Sequence, residues 1–276
     1  MSSRAMRQYR VRPMIANARM YSVTPAAAEA WRAVIGWAAR QAEVPVEFVE
    51  HGPPKLLSDL WARDDLGVVQ MCGLPASLRK PAPTLLAAPQ PSLPRYQGRA
   101  IYMSDIAVRA DAPYRTLEDT FGGVAGYTLK DSQSGYFAWR TLLLTKHPEA
   151  KYRQIVGGLL NPRGVIQALV DNKIDVGPLD GYVFDLLRAG DPEFASQVRV
   201  VAVTDPTPMP PLVATAPLKD SQTEKLRSAF LAVHEERSLD RAREVLLIER
   251  FVVPELSVYD ETKRRAERVE RADPWP

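Results

Sequence analysis

A chain of 276 residues, 46% of them hydrophobic and 25% charged, is long enough to bury one large core or two smaller ones and has the composition of a globular protein. Its formal net charge of +3 is small and its basic residues are interleaved with acidic ones, which excludes a nucleic-acid-binding surface as the organising feature. The single cysteine, Cys72, excludes an intrachain disulfide, and no apolar run approaches the roughly 18 residues that a membrane helix needs, so no membrane insertion is expected.

The first twelve residues are basic, but no apolar run of the kind found in a secretory signal follows them, so no leader is expected in the sequence as it stands. Met14 to Ala18 reads as a first strand. Thr24-Pro25 reads as a helix start, a hydroxyl cap followed by proline at the first helical position, and Ala27, Trp31, Val34, Ile35 and Ala38 recur at helical spacing after it. A strand at Val46 to Val49, a short helix at Lys55 to Ala62 and an apolar strand at Leu66 to Cys72 follow. Strands at Thr84 to Ala88 and Ala100 to Arg109 are separated by a proline-rich connection, Pro89 to Pro94.

A second series then begins: a short helix at Thr116 to Thr120, a strand at Gly122 to Tyr127 and a helix at Tyr136 to Leu144. Next come a strand at Gln154 to Gly157, a helix opened by Asn161-Pro162, a strand at Ile174 to Gly177, a helix at Gly181 to Ala189 and a strand at Val198 to Val203. Pro206 to Pro211 is a stiff crossover leading to a strand at Leu212 to Thr215. Ser221 to Glu224 reads as a capping box opening a helix to about Glu236, and helices are predicted at Leu239 to Ile248 and Glu261 to Ala272, the last presenting a solvated face. Alternation of this kind predicts an α/β protein with mostly parallel sheets flanked by helices, divided into two lobes by the extended segments.

The most informative stretch is Lys130 to Arg140, where a strand, a loop of small hydroxyl residues and a helix start succeed one another. Amides at a helix N-terminus lack intrahelical partners and the helix dipole favours negative charge there, so the pattern points to an oxyanion. Ser132 and Ser134 can each donate a hydroxyl proton, Gln133 lies between them, and Gly135 allows close backbone approach. The bland reading of the same residues is a helix-capping cluster. Tyr136 reads either as a wall of the cleft or as packing beneath the loop. Asp180, between a strand and the Gly181 helix, reads as a ligand contact, as an N-cap, or as both.

Cys72 reads as a small buried apolar residue rather than a nucleophile, since no histidine lies near it in sequence. His51, His147 and His234 are isolated, and no metal-ligand spacing, nucleophile elbow, Walker loop or dinucleotide fingerprint is present. No catalytic residue, metal or cofactor is therefore expected.

Four segments in order carry a family resemblance: Ile15-Ala16-Asn17-Ala18-Arg19-Met20-Tyr21; Leu60-Trp61-Ala62-Arg63-Asp64-Asp65-Leu66 with Gln70-Met71-Cys72-Gly73-Leu74-Pro75; Asp131-Ser132-Gln133-Ser134-Gly135-Tyr136; and Lys173-Ile174-Asp175-Val176-Gly177-Pro178-Leu179-Asp180. Together the chain resembles the phosphate, phosphite and phosphonate group of type II solute-binding proteins that serve ABC transporters. The resemblance implies a two-lobe clamp, with residues 1–104 and 206–276 in one lobe and 105–205 in the other. Hinge strands are expected near Ser104 to Arg109 and Val203 to Pro208. It further implies a monomer that captures a small anion for an ABC permease, with Tyr21, Ser132, Gln133, Ser134, Gly135, Tyr136 and Asp180 as ligand contacts and Cys72, Gly73 and Arg163 as further candidates. The chain departs from the family at two polar positions: Leu159-Leu160 stand where a histidine is usual, and Leu74 where a tyrosine is usual. Arg163 is the candidate to replace the histidine's charge. Family resemblance implies a periplasmic location. The basic start without a leader leaves open a cytoplasmic enzyme or metabolite sensor, acting on a small carboxylate or phosphorylated compound.

Overall fold

The computed structural model describes residues 13–272, so the basic start of the chain lies outside the described residues. The first half follows the expected order, with one unexpected helix, α3: β1 (Met14–Asn17), α1 (Pro25–Gln41), β2 (Val46–Phe48), α2 (Leu57–Trp61), β3 (Leu66–Gln70), α3 (Gly73–Leu78) and β4 (Thr84–Pro91). α1 starts where its cap dictates, with the Thr24 hydroxyl accepting the Ala27 amide at 3.2 Å and Pro25 at the first position. Its stripe of Ala27, Trp31, Val34, Ile35 and Ala38 is buried in the main core.

The chain crosses through β5 (Ile101–Tyr102) into β6 (Ser104–Arg109) and builds β7 (Val124–Gly126), α4 (Ala138–Lys146), β8 (Gln154–Val156), α5 (Pro162–Val170), β9 (Gly177–Asp180), α6 (Gly181–Gly190), α7 (Pro192–Ala195) and β10 (Val198–Val203). It returns through β11 (Thr207–Pro208) to β12 (Leu212–Ala214), α8 (Asp220–Ala232), α9 (Asp240–Val245), β13 (Ile248–Val252) and α10 (Asp260–Arg271). β5 and β11 pair antiparallel between the two sheets, and beside them the Ser104 amide donates to Thr204 Oγ1 at 2.9 Å.

The larger sheet has the order β13-β4-β12-β3-β1-β2 and the smaller β10-β6-β9. The parallel pair β7-β8 joins the approach to β9 through a parallel bridge from Ala125 to Val176. The expected parallel character holds for strand direction but not for every pairing. β12 is antiparallel to both β3 and β4, β13 to β4, and β6 to both β9 and β10. Of these reversed strands, β6 and β12 are each the first laid down after a crossover and are inserted between two neighbours, while β13 lies at an edge. This gives mixed sheets within a two-lobe α/β fold.

Four local expectations are corrected. Pro89 to Pro91 is part of β4, paired with β13, rather than a connection; beyond Ala87 the β12 side of the strand is open, where a residue lacking an N–H is tolerated. Ile248 to Val252 is the edge strand β13, and only Asp240 to Val245 of the predicted segment is α-helical. α8 opens at Asp220, with the Lys219 amide donating to Gln222 Oε1 at 3.1 Å, so the proposed box at Ser221 is out of frame. α10 is charged on one face but buries Ala266 and Val269 against Leu74 and Phe137, so it is no purely solvated helix.

Candidate functional site

In open α/β sheets ligands sit beyond the carboxyl ends of the strands, and several candidate residues fall at such ends. Tyr21 closes the turn after β1; Gln70 ends β3, with Cys72 two residues on; Asp180 ends β9 and caps α6. The loop after β7 turns into a π turn, Gln133–Phe137, that feeds α4. Tyr21, Gln70, Gln133, Ser134 and Asp180 are all buried, as is Tyr102 at the crossover.

Ser132 and Asp180 are both caps. Ser132 Oγ accepts the Gly135 amide at 3.0 Å, and Asp180 Oδ1 accepts the Tyr182 and Val183 amides, each at 3.1 Å. Asp180 Oδ2 accepts the Ser134 hydroxyl at 3.2 Å, so the loop and the start of α6 are tied directly together. The Ser134 carbonyl accepts the Ser104 hydroxyl at 2.8 Å, which pins the loop to the first strand of the smaller sheet, and the Tyr102 hydroxyl hydrogen-bonds the Ser134 side chain. Burial pushes the Asp180 carboxyl up to about 7, partly opposed by its hydrogen bonds from Val183, Ser134 and Tyr182.

The turn after β1, the end of β3 and the π turn supply polar atoms of a different kind. The Tyr21 hydroxyl and both amide atoms of Gln70 are buried without a protein partner, as are both amide atoms of Gln133 in the π turn. Burial drives the Tyr21 phenol well above its ordinary range, with the Asp180 carboxylate adding to the effect, so Tyr21 stays a neutral donor. Its ring stands edge-on to Tyr182, with centroids 4.8 Å apart. Buried polar atoms are rarely left unpaired, which makes these side chains the candidates to contact a polar guest.

The remaining candidates have packing or tethering roles. Gly135 is required for packing: a Cβ there would lie 1.8 Å from Thr128 Oγ1, so its bareness admits Thr128 rather than a ligand. Gly73 likewise makes room for the Tyr259 ring, 2.3 Å from where a Cβ would stand. The Cys72 thiol is raised by burial and contacts Met20 Sδ at 3.5 Å, as a packed side chain would. Tyr136 stacks edge-on with Tyr127, centroids 5.0 Å apart, beside the Leu74 and Phe137 cluster. Arg163 does not reach the site as a substitute for histidine. Its Nη2 donates to the Val23 carbonyl at 3.1 Å and to Asp191 Oδ2 at 2.7 Å, and its guanidinium covers the Phe194 ring at 4.8 Å, which makes it a tether at the rim.

Sequence reasoning missed Gln70 and Tyr102. Gln70 carried a legible signal, being the one polar side chain at the end of the otherwise apolar run Leu66–Gln70. Tyr102 carried none, because its place depends on the pairing of β5 with β11.

Residues 23–259 match the family described as ABC transporter, phosphonate, periplasmic substrate-binding protein. No curated protein matches the chain in sequence. Among solved structures, PhnD1 from Prochlorococcus marinus in complex with methylphosphonate superposes with a TM-score of 0.78 at 15% identity, covering 94% of this chain and 98% of that one. A binding-protein component of an ABC phosphonate transporter from Pseudomonas aeruginosa gives 0.75 at 17% identity, over 94% and 88%. A Xanthomonas citri protein bound to chloride ion gives 0.67 at 15%, over 94% and 97%.

Proposed function

Because the chain belongs to the periplasmic substrate-binding protein family of phosphonate ABC transporters, we propose that Tyr21, Gln70, Gln133, Ser134 and Asp180 enclose the oxyanion head of a phosphonate or closely related acid. The reading rests most on the buried polar atoms of Tyr21, Gln70 and Gln133 that have no protein partner. Tyr21 lies beside Asp180, which accepts the Ser134 hydroxyl. Members of this family are transport proteins, not enzymes, so the reading needs no catalytic residue and replaces the enzyme alternative. Its partners are the small ligand and an ABC permease. Residues 1–104 with 206–276, and 105–205, form the two jaws; the protein works in the periplasm, as a monomer.

The five residues of the proposed site include no cation. Arg95 lies near it but is held by Asp105 at 2.5 Å and Asp185 at 3.3 Å. Neutral hydroxyl and amide donors therefore carry the interaction, and such bonds to a charged acceptor are strong where water is excluded. Asp180 sets the direction of the Ser134 proton. When ionised it holds that proton; when protonated it can donate to Ser134 Oγ, and the Ser134 hydroxyl is then free to turn to the guest.

A thermal-shift series with methylphosphonate, phosphate, sulfate and small carboxylates tests the reading. Saturation at about 100 times Kd stabilises the folded form by about 2.7 kcal/mol, enough for a clear rise in Tm. A rise with a phosphonate that shrinks in Ser134→Ala is expected; no rise with any of these oxyanions refutes the reading.

A further inference from the structure

We propose that Arg95 is a positioning residue for anion capture: it cancels the charge of two carboxylates buried behind the proposed site, Asp105 and Asp185, and so keeps that site open to a negatively charged guest. The inference rests on the oxyanion reading above and adds to it a residue that touches no ligand. Arg95 sits in the single helical turn Pro94–Tyr96 between β4 and β5, while Asp105 lies in β6 and Asp185 in α6. Its guanidinium takes Asp105 with both prongs, Nη2 donating to Oδ1 at 2.5 Å and Nη1 to Oδ2 at 3.0 Å. Nη1 also donates to Asp185 Oδ1 at 3.3 Å. Asp185 further accepts the Tyr96 hydroxyl at 2.5 Å and Arg188 Nη1 at 3.2 Å. Both carboxylates are buried.

The cluster abuts Asp180, which sets the direction of the Ser134 proton. Ser104 pairs with Asp180 across β6 and β9, and Asp105 follows it in the chain. Gly181, the first residue of α6, donates its amide to the Met103 carbonyl at 2.8 Å. A Cβ on Gly181 would stand 3.4 Å from Asp105 Oδ2 and 3.5 Å from Arg95 Nη2, so the cluster reaches the residue next to Asp180. Its charge is felt there: burial first, and the Asp105 carboxylate with it, push the Asp180 carboxyl up. Two cations, Arg95 and Arg188, and two carboxylates leave the cluster neutral. An uncompensated carboxylate at this depth is poorly screened and repels an anion brought to Ser134. Stability alone is a weak reason for such a cluster, since apolar side chains of similar size hold a fold together as well. Charge balance behind an anion site is a direct one.

Titration calorimetry with methylphosphonate at constant ionic strength, on the intact protein, tests whether affinity follows the charge of the cluster. Arg95→Met leaves the cluster negative, and Kd should rise about tenfold or more. Arg95→Lys keeps the charge but not the fork and should stay closer to wild type than to Arg95→Met. Arg95→Met combined with Asp105→Asn is neutral again and should return to within about threefold of wild type. Asp105→Asn alone makes the cluster positive and should bind more tightly than wild type. A residue that serves packing alone predicts another order, with the double variant weakest and Asp105→Asn weaker than wild type. Unchanged binding by Arg95→Met, or no recovery in the double variant, overturns the assignment, while methylphosphonate binding by wild type leaves the oxyanion reading standing. Should Arg95→Met fail to fold, Asp105→Asn decides by its sign: tighter binding supports the assignment, and equal or weaker binding overturns it. No binding of methylphosphonate, phosphate or sulfate by wild type overturns both.

Discussion

The two walls of the cleft are built on opposite plans. On the wall of the smaller sheet most polar groups hold one another: Ser132 takes the Gly135 amide, and Asp180 takes two amides and the Ser134 hydroxyl, with the Gln133 amide the exception. On the facing wall, the Tyr21 hydroxyl and the Gln70 amide are buried with no partner. Groups that restrain one another keep their direction whether or not a guest is present, so little ordering remains to be done on binding. Unpartnered groups do the reverse. Each destabilises the closed arrangement by ~1–3 kcal/mol until something satisfies it. One wall aims; the other makes closure depend on the guest.

The largest effect should come from breaking the aiming wall. Ser134→Ala removes a hydrogen bond to charge worth ~1.5–3 kcal/mol, so the affinity for a phosphonate should fall by about 10- to 100-fold in calorimetry. Next are the unpartnered groups, where the contrast predicts opposite signs for binding and stability. Tyr21→Phe and Gln70→Leu should each weaken binding by about tenfold while leaving the ligand-free Tm unchanged or raised, because an unsatisfied buried group has been removed. Falls in both quantities would show that these atoms are structural and end the contrast.

The smallest effect concerns pH. The folded-state pKa of Asp180, about 7, lies above the ordinary 3.8, so between about pH 4 and 7 the folded protein binds the extra proton. Ligand-free stability should fall as pH rises through that window, and affinity for the oxyanion should fall as pH rises through 7. Asp180→Asn should flatten both profiles relative to wild type, by a few-fold in affinity, when Kd and Tm are followed from pH 5 to 8.

Much of this was legible in the residues themselves. The Thr24-Pro25 and Asn161-Pro162 starts open helices as their chemistry dictates, with Asn161 Oδ1 accepting the Gly164 amide at 3.0 Å. The Ser132 and Asp180 caps were readable too, because capping is local. What escaped was set by pairing over long distances. β13 is a strand because β4 offers it an edge, and Leu74 is apolar where a tyrosine was expected because α10, almost 200 residues later in the chain, covers it. The role of Gly135 was misread for the same reason: a bare Cα looks like an invitation to a ligand until Thr128 is found in the space.

The placement of β6 and β12 has a mechanical consequence. β6 and β12 enter the middle of their sheets and are held by ladders on both flanks, so neither can peel away as an edge strand can. Any bending is thereby confined to the few residues around the paired strands β5 and β11. In the proposed two-jaw arrangement the jaws would then swing about a fixed pivot, their alignment set by where the backbone is sewn in, leaving the facing side chains free to diverge with the cargo.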